Sequence, residues 1–166
     1  LSLVGTWMQS MAQQVLVYRL TGSAAALGIV SFMGVIPLVP FALWGGSLSD
    51  RMPKRRLLLI TQTLMLVQAV ILAALTWSGE IRIWQIYLMA LLLGAFKAVD
   101  MPARQSYVVE MVEGREDLTS AIGLNSAIHN AARTLGPALA GVIVALLGEA
   151  PAFLLNSLSF LAVIVS

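Results

Sequence analysis

No cysteine, a single histidine and few charges of either sign set the first limits on this chain. Without cysteine there are no disulfide staples and no thiolate metal sites, and one histidine cannot build a metal cage. Neither a Gly-x-Ser-x-Gly elbow nor a phosphate-cradling glycine loop ending in Lys-Ser or Lys-Thr occurs. The sequence therefore offers no catalytic constellation and no cofactor site, and energisation by ATP would need another subunit. Ten basic against eight acidic side chains leave too little positive field to hold a polyanion, which excludes nucleic acid as a partner. Charged residues make up 11% of the chain, less than half the roughly one quarter found in soluble proteins. That shortage argues against a soluble enzyme and against a disordered tail.

What fills the 166 residues instead is apolar: 59% are hydrophobic and the mean hydropathy is +0.89. The 13 glycines and 6 prolines sit inside apolar runs, which membrane helices tolerate because neighbouring helices re-satisfy the backbone. A first span runs from Leu1 to about Tyr18 and ends in the polar turn Arg19-Leu20-Thr21-Gly22-Ser23. The second, Ala24 to Leu48, is uncharged and holds Pro37 and Pro40, which should bend it. The third, Leu57 to Trp77, is also uncharged, and at a helical rise it measures roughly 31 Å, the thickness of a hydrocarbon core. A fourth begins near Ile83 and stays apolar to Phe96, then carries Lys97, Asp100 and Arg104. Leu118 to Leu147 makes a fifth, interrupted by His129 and Arg133, and a sixth follows Gly148-Glu149-Ala150-Pro151. The fold class expected is all-α: a polytopic membrane helix bundle of five full spans and a partial sixth. Residues 1–166 form one unit, and the apolar starts and stops at Leu1 and Ser166 suggest truncation at both ends.

Arg51, Lys54, Arg55, Arg56, Arg104 and Arg115 collect on one side of such a bundle, against Arg19 and Arg82 on the other. By the positive-inside rule the loops after the second and fourth spans are cytoplasmic. Trp77 and Trp84 then flank an outer loop as an interfacial belt. The acidic residues Glu110, Glu113, Glu116 and Asp117 read as a solvated cytoplasmic face, with Asp117 as the N-cap of the fifth helix.

The loop between the second and third spans is Gly46-Ser47-Leu48-Ser49-Asp50-Arg51-Met52-Pro53-Lys54-Arg55-Arg56. A glycine one turn before an aspartate permits close helix approach, and the aspartate and basic cluster can form charge-assisted bonds at a helix end. As charges alone these residues also read as a positive-inside anchor. In the fifth span, Ala132, Gly136 and Ala140 recur at spacing four, a face that allows tight helix contact, and Pro137 favours a bend.

Gly46, Asp50, Arg51, Lys54 and Arg55 match the signature loop of the major facilitator superfamily, with Pro53 where that family usually has a second glycine. The stretch Gly136-Pro137-Ala138-Leu139-Ala140-Gly141 is similar to the Gly-Pro motif of the superfamily's exporters. Leu20-Thr21-Gly22-Ser23-Ala24 and Asp100-Met101-Pro102-Ala103-Arg104 resemble the branch of the enterobactin exporter and the transmembrane secretion effectors. The resemblance covers essentially the whole chain and implies the amino-terminal six-helix half of a transporter in the bacterial inner membrane. It also implies a carboxy-terminal six-helix half as partner, membrane lipid around both, and export of a small amphipathic molecule by alternating access with proton antiport.

Within that reading Gly46, Asp50, Arg51, Lys54, Arg55, Asp100 and Arg104 form a cytoplasmic gate, with Asp100 meeting Lys54 or Arg51 across helices. The alternative is that Asp100 and Arg104, one turn apart, only neutralise each other. Gly136, Pro137 and Gly141 act as a hinge in helix five, or serve packing alone. Arg133, His129 and Asn125 share one stripe of the same helix and are the substrate-binding candidates, because ionisable residues in a bilayer usually face a bundle interior or cavity. His129 is equally a hydrogen-bonding residue; Lys97 reads as a snorkelling cation; Gln13 and Gln14 add polar contacts to the cavity or between helices. Two other functions fit the composition: a non-transporting membrane scaffold or receptor, and the membrane subunit of an ATP-driven exporter.

Overall fold

The computed structural model describes residues 2–41, 52–110 and 115–165, with their side chains apart from 108–121. Gly46, Asp50 and Arg51 lie outside the described residues. Among those described, six α-helices follow one another and no strand occurs: α1 Ser2–Thr21, α2 Ala24–Val35, α3 Lys54–Trp77, α4 Ile83–Glu110, α5 Arg115–Leu147 and α6 Glu149–Val165.

Local chemistry ends each helix where the chain must turn. The Gly22 N–H donates to the Tyr18 carbonyl at 2.7 Å to close α1, and the Ser23 hydroxyl accepts from the Ala26 N–H at 3.4 Å to open α2. α2 stops before Pro37, and a helical turn resumes to Phe41, the break expected where proline removes a backbone donor. Between α5 and α6 the connection is Gly148 alone, at φ 88°, a conformation that a residue with a Cβ adopts only under strain. α5 begins at Arg115, so Asp117 lies inside the first turn rather than at the N-cap.

Among the described residues, four helical segments are long and apolar enough to cross a membrane: Ala24–Phe41, Lys54–Trp77, Ile83–Tyr107 and Ile122–Leu147. This is one fewer than the five full spans expected. α1 has the length, at 20 residues, but Gln9, Gln13, Gln14 and its serines and threonines dilute its hydropathy. α6 is apolar and short, at 17 residues.

α1 lies against both α5 and α6; α3 packs on α6 and α4; α2 packs on α4. The core is built from Met8, Leu16, Leu72, Ile86, Met89 and Phe153, with a smaller cluster of Met65, Ala69, Leu93 and Phe160. Polarity runs opposite to that of a soluble protein. Val39, Leu146 and Val165 are at least 75% exposed, whereas Gln9, Gln13, Gln62, Gln68 and Asn156 are buried. An apolar exterior over a polar interior is what a lipid solvent selects, since a polar group facing hydrocarbon finds no partner.

The buried amides bond to one another. Gln9 Nε2 donates to Gln68 Oε1 at 3.0 Å, Asn156 Nδ2 donates to Gln9 Oε1 at 2.6 Å, and Gln68 Nε2 donates to the Met89 carbonyl at 3.2 Å. One chain of bonds thus ties α1, α3, α6 and α4. At the other end of α1, Arg19 Nη1 donates to Glu149 Oε2 at 3.1 Å, joining its last turn to the first turn of α6.

Candidate functional site

Two cavities lie beside α1. The first, of about 230 Å³, is walled by side chains that include Trp7, Gln62, Lys97, Asp100, Asn125 and His129. The second, of about 340 Å³, lies between α1, α2 and α4 and is walled by side chains that include Trp7, Gln13, Gln14, Ser31 and Lys97. Trp7, Leu38 and Lys97 border both. The helices meet closely around them: a Cβ on Gly94 of α4 would run into the Gly34 carbonyl of α2.

Asp100 is the most heavily bonded group of the first cavity. Its Oδ1 accepts from the Thr61 hydroxyl at 2.7 Å and from Gln62 Nε2 at 3.1 Å. Its Oδ2 accepts from Arg104 Nε at 3.3 Å and Nη2 at 3.2 Å. The local pair with Arg104 therefore forms, and the contact across helices goes to two neutral side chains of α3. A carboxylate at 8% exposure has lost most of its contact with solvent, and four donor contacts stand in its place here. Lys54 and Arg55 sit in the first turn of α3, two turns before Thr61 on the loop side.

On α5, Asn125 and His129 line the first cavity and Arg133 follows one turn later, exposed, with its guanidinium carbon 5.7 Å from the centre of the Trp7 ring. The stripe of three thus gathers around Trp7. His129 Nδ1 lies 3.1 Å from the Asn125 carbonyl oxygen; a carbonyl only accepts, so Nδ1 is the donor of this bond.

The small-residue face of α5 is where α1 rests. Ala132, Gly136 and Ala140 are buried, and a Cβ on Gly136 would stand 2.5 Å from the Trp7 Cβ and 2.9 Å from the Val4 carbonyl oxygen. Gly141 has no such neighbour: nothing lies within 4 Å of its Cβ position. The helix stays continuous through Pro137.

Sequence reasoning passed over Trp7, Thr61 and Gln62. The available signal was weak but present: Thr61-Gln62-Thr63 is a polar run inside an otherwise apolar segment, and Trp7 lies two turns before Gln14 on the same face of its helix.

A family model described as a transmembrane secretion effector matches residues 1–166. The chain is 33% identical over 158 residues to the staphyloferrin A transporter of Staphylococcus aureus, covering 95% of this chain and 40% of that protein. It is 21% identical over 161 residues to the MFS-type transporter YfiS of Bacillus subtilis, covering 96% and 37%. With macrolide efflux protein A of Streptococcus pyogenes it shares 22% over 123 residues, covering 74% and 30%. The chain thus spans between 30% and 40% of the length of these relatives. No solved structure matches it. The apolar spans and these relatives mark a multi-pass protein of a bacterial membrane. With its whole length matched by one family, the chain belongs to the transmembrane secretion effectors of the major facilitator superfamily.

Proposed function

We propose that the chain is the amino-terminal six-helix half of a secondary active transporter that exports small amphipathic molecules, siderophore-like or drug-like, across the bacterial inner membrane. One observation carries the reading. Lys97, Asp100, Arg104, Asn125 and His129 converge on one cavity of about 230 Å³ inside a bundle with an apolar exterior. Holding ionisable groups at membrane depth costs about 2.5–3.5 kcal/mol each on insertion scales, a cost that a solute path explains and lipid packing does not. The named cargoes of the relatives, staphyloferrin A and macrolides, agree with a small-molecule substrate.

In this mechanism a carboxy-terminal half supplies the opposite wall of the cavity and the two halves rock about it by alternating access, driven by proton antiport. Asp100 with Arg104, and Gly46, Asp50, Arg51, Lys54 and Arg55 of the signature loop, hold the cytoplasmic side closed when the site faces outward. Gly136, Pro137 and Gly141 form the joint of helix five, and Arg133, His129 and Asn125 face the substrate.

Reconstitution of the full-length protein in vesicles with an imposed pH gradient tests this. Gradient-dependent movement of at least one compound from a panel of amphipathic anions, neutrals and cations is expected. No gradient-dependent movement of any of them would instead favour a scaffold whose buried amides only knit helices together.

A further inference from the structure

We propose that Lys97 is the anchor for the carboxylate of an amphipathic organic anion bound along the two cavities beside α1, an assignment that rests on the transporter reading for its biological use. Lys97 projects from α4 where the cavities meet and borders both. It stands ten residues before the end of the apolar segment Ile83–Tyr107.

Charge balance distinguishes it from its neighbours. Asp100 is the one acid among the described residues lining the first cavity, and its oxygens are taken by Thr61, Gln62 and Arg104. Arg104 and Asp100 cancel, leaving Lys97 without a carboxylate partner among the described residues and the cavity with one net positive charge when His129 is neutral. A partly buried cation is normally matched by an anion or by other acceptors, because its lost hydration must be replaced.

A second observation is independent of charge. Gln62 Oε1 in the first cavity and Gln13 Nε2 in the second are buried with no hydrogen-bond partner. Buried polar atoms in folded proteins are nearly always bonded, so the amides of Gln62 and Gln13, on the walls either side of Lys97, are not saturated by the protein, and a small rotation of either would present it to a bound molecule. The remaining walls, with Leu3, Leu38, Met65 and Phe160 beside the Trp7 ring, suit an apolar body. Charged head, flanking amide contacts and greasy body together describe an amphipathic carboxylate.

Dansylglycine, a carboxylate, and dansylglycinamide, its neutral counterpart, are suitable probes, with binding followed by dansyl fluorescence on the full-length protein in nanodiscs after subtraction of empty discs. Wild type should bind the acid at least about tenfold more tightly than the amide, the scale of one charge-assisted bond. Lys97→Gln should remove that preference, weakening binding of the acid far more than that of the amide, and Lys97→Arg should retain it. Lys97→Met gives the same readout if the glutamine variant does not fold. Equal binding of both probes by wild type, a preference that survives Lys97→Gln, or a matched loss of both probes in a variant of native size-exclusion profile would overturn the assignment. Gradient-driven movement of the amide separates the two readings. Movement without Lys97-dependent preference sinks the anchor alone; Lys97-dependent binding without movement of any panel compound sinks export alone.

Discussion

Two glycines five positions apart in helix α5 should respond to alanine with opposite signs. At Gly136 the new methyl carbon would stand 2.5 Å from the Trp7 Cβ, 2.9 Å from the Val4 oxygen and 3.1 Å from the Met8 nitrogen. Carbon atoms rest about 3.5–4.0 Å apart, so α1 would have to withdraw by roughly 1 Å. It has little room to do so: on its other side Gly5 abuts Asn156 and Ser159 of α6. Two of the three obstructing atoms belong to backbone, which cannot rotate away as a side-chain tip can. Overpacking of this kind costs about 1–3 kcal/mol. At Gly141 nothing lies within 4 Å and the residue is exposed, so alanine there gains about 0.5–1 kcal/mol of helix propensity. Thermal unfolding of the full-length protein in detergent, followed by circular dichroism, should place the midpoint of Gly136→Ala below wild type and that of Gly141→Ala at or above it. Shifts of the same sign and size would refute the placement of α1 on the small-residue face.

Gln9→Leu should destabilise by about 1–3 kcal/mol, because it orphans the buried amides of both Gln68 and Asn156; replacing all three by leucine should recover much of that loss in the same unfolding assay. A double-mutant cycle of Asp100→Asn with Thr61→Val should show coupling of about 1 kcal/mol or more, since the 2.7 Å bond is to an ionised acceptor; additive effects would remove this bond from the account. Arg133→Ala should slow vesicle export of anionic compounds more than of neutral ones, and equal slowing would count against a binding role for the guanidinium above Trp7.

Local features were legible because local rules govern them. The polar turn at Arg19 to Ser23 needs only a left-handed glycine and a serine cap, and Gly22 at φ 61° with the Ser23 hydroxyl on Ala26 provides both. The interruption at Pro37 follows from a missing donor, and the burial of Ala132, Gly136 and Ala140 follows from their spacing. Partner choice is a different matter. Helical periodicity says which residues share a face, yet not which helix that face meets, so nothing in the sequence links Gln9, Gln68 and Asn156, which bond only where α1, α3 and α6 come together. Lys97 shows the same limit. Whether a lysine within a span snorkels or lines a cavity depends on what covers its face of α4, and that is a property of the packed bundle. Glu149 was invisible for a related reason: its pairing with Arg19 spans most of the chain.

Polar residues inside this bundle divide by whether the protein itself completes their bonds. Gln9, Gln68 and Asn156 bond one another and a backbone carbonyl, so they add cohesion without needing a solute. Asp100 belongs to both classes: its oxygens are filled, but by donors from another helix and by an arginine on a cavity wall, so any movement of α3 relative to α4 must break bonds to a charge. Gln13, Gln62 and Lys97 retain capacity that no described neighbour uses, and all three border the cavities. In lipid that unused capacity cannot be met by bulk water, which makes it informative. Cohesion concentrates where polar groups are saturated, and recognition where they are not. The boundary between them runs through Asp100 and its bonds to Thr61 and Gln62, which is where binding of a solute would be felt first by the helices that must move.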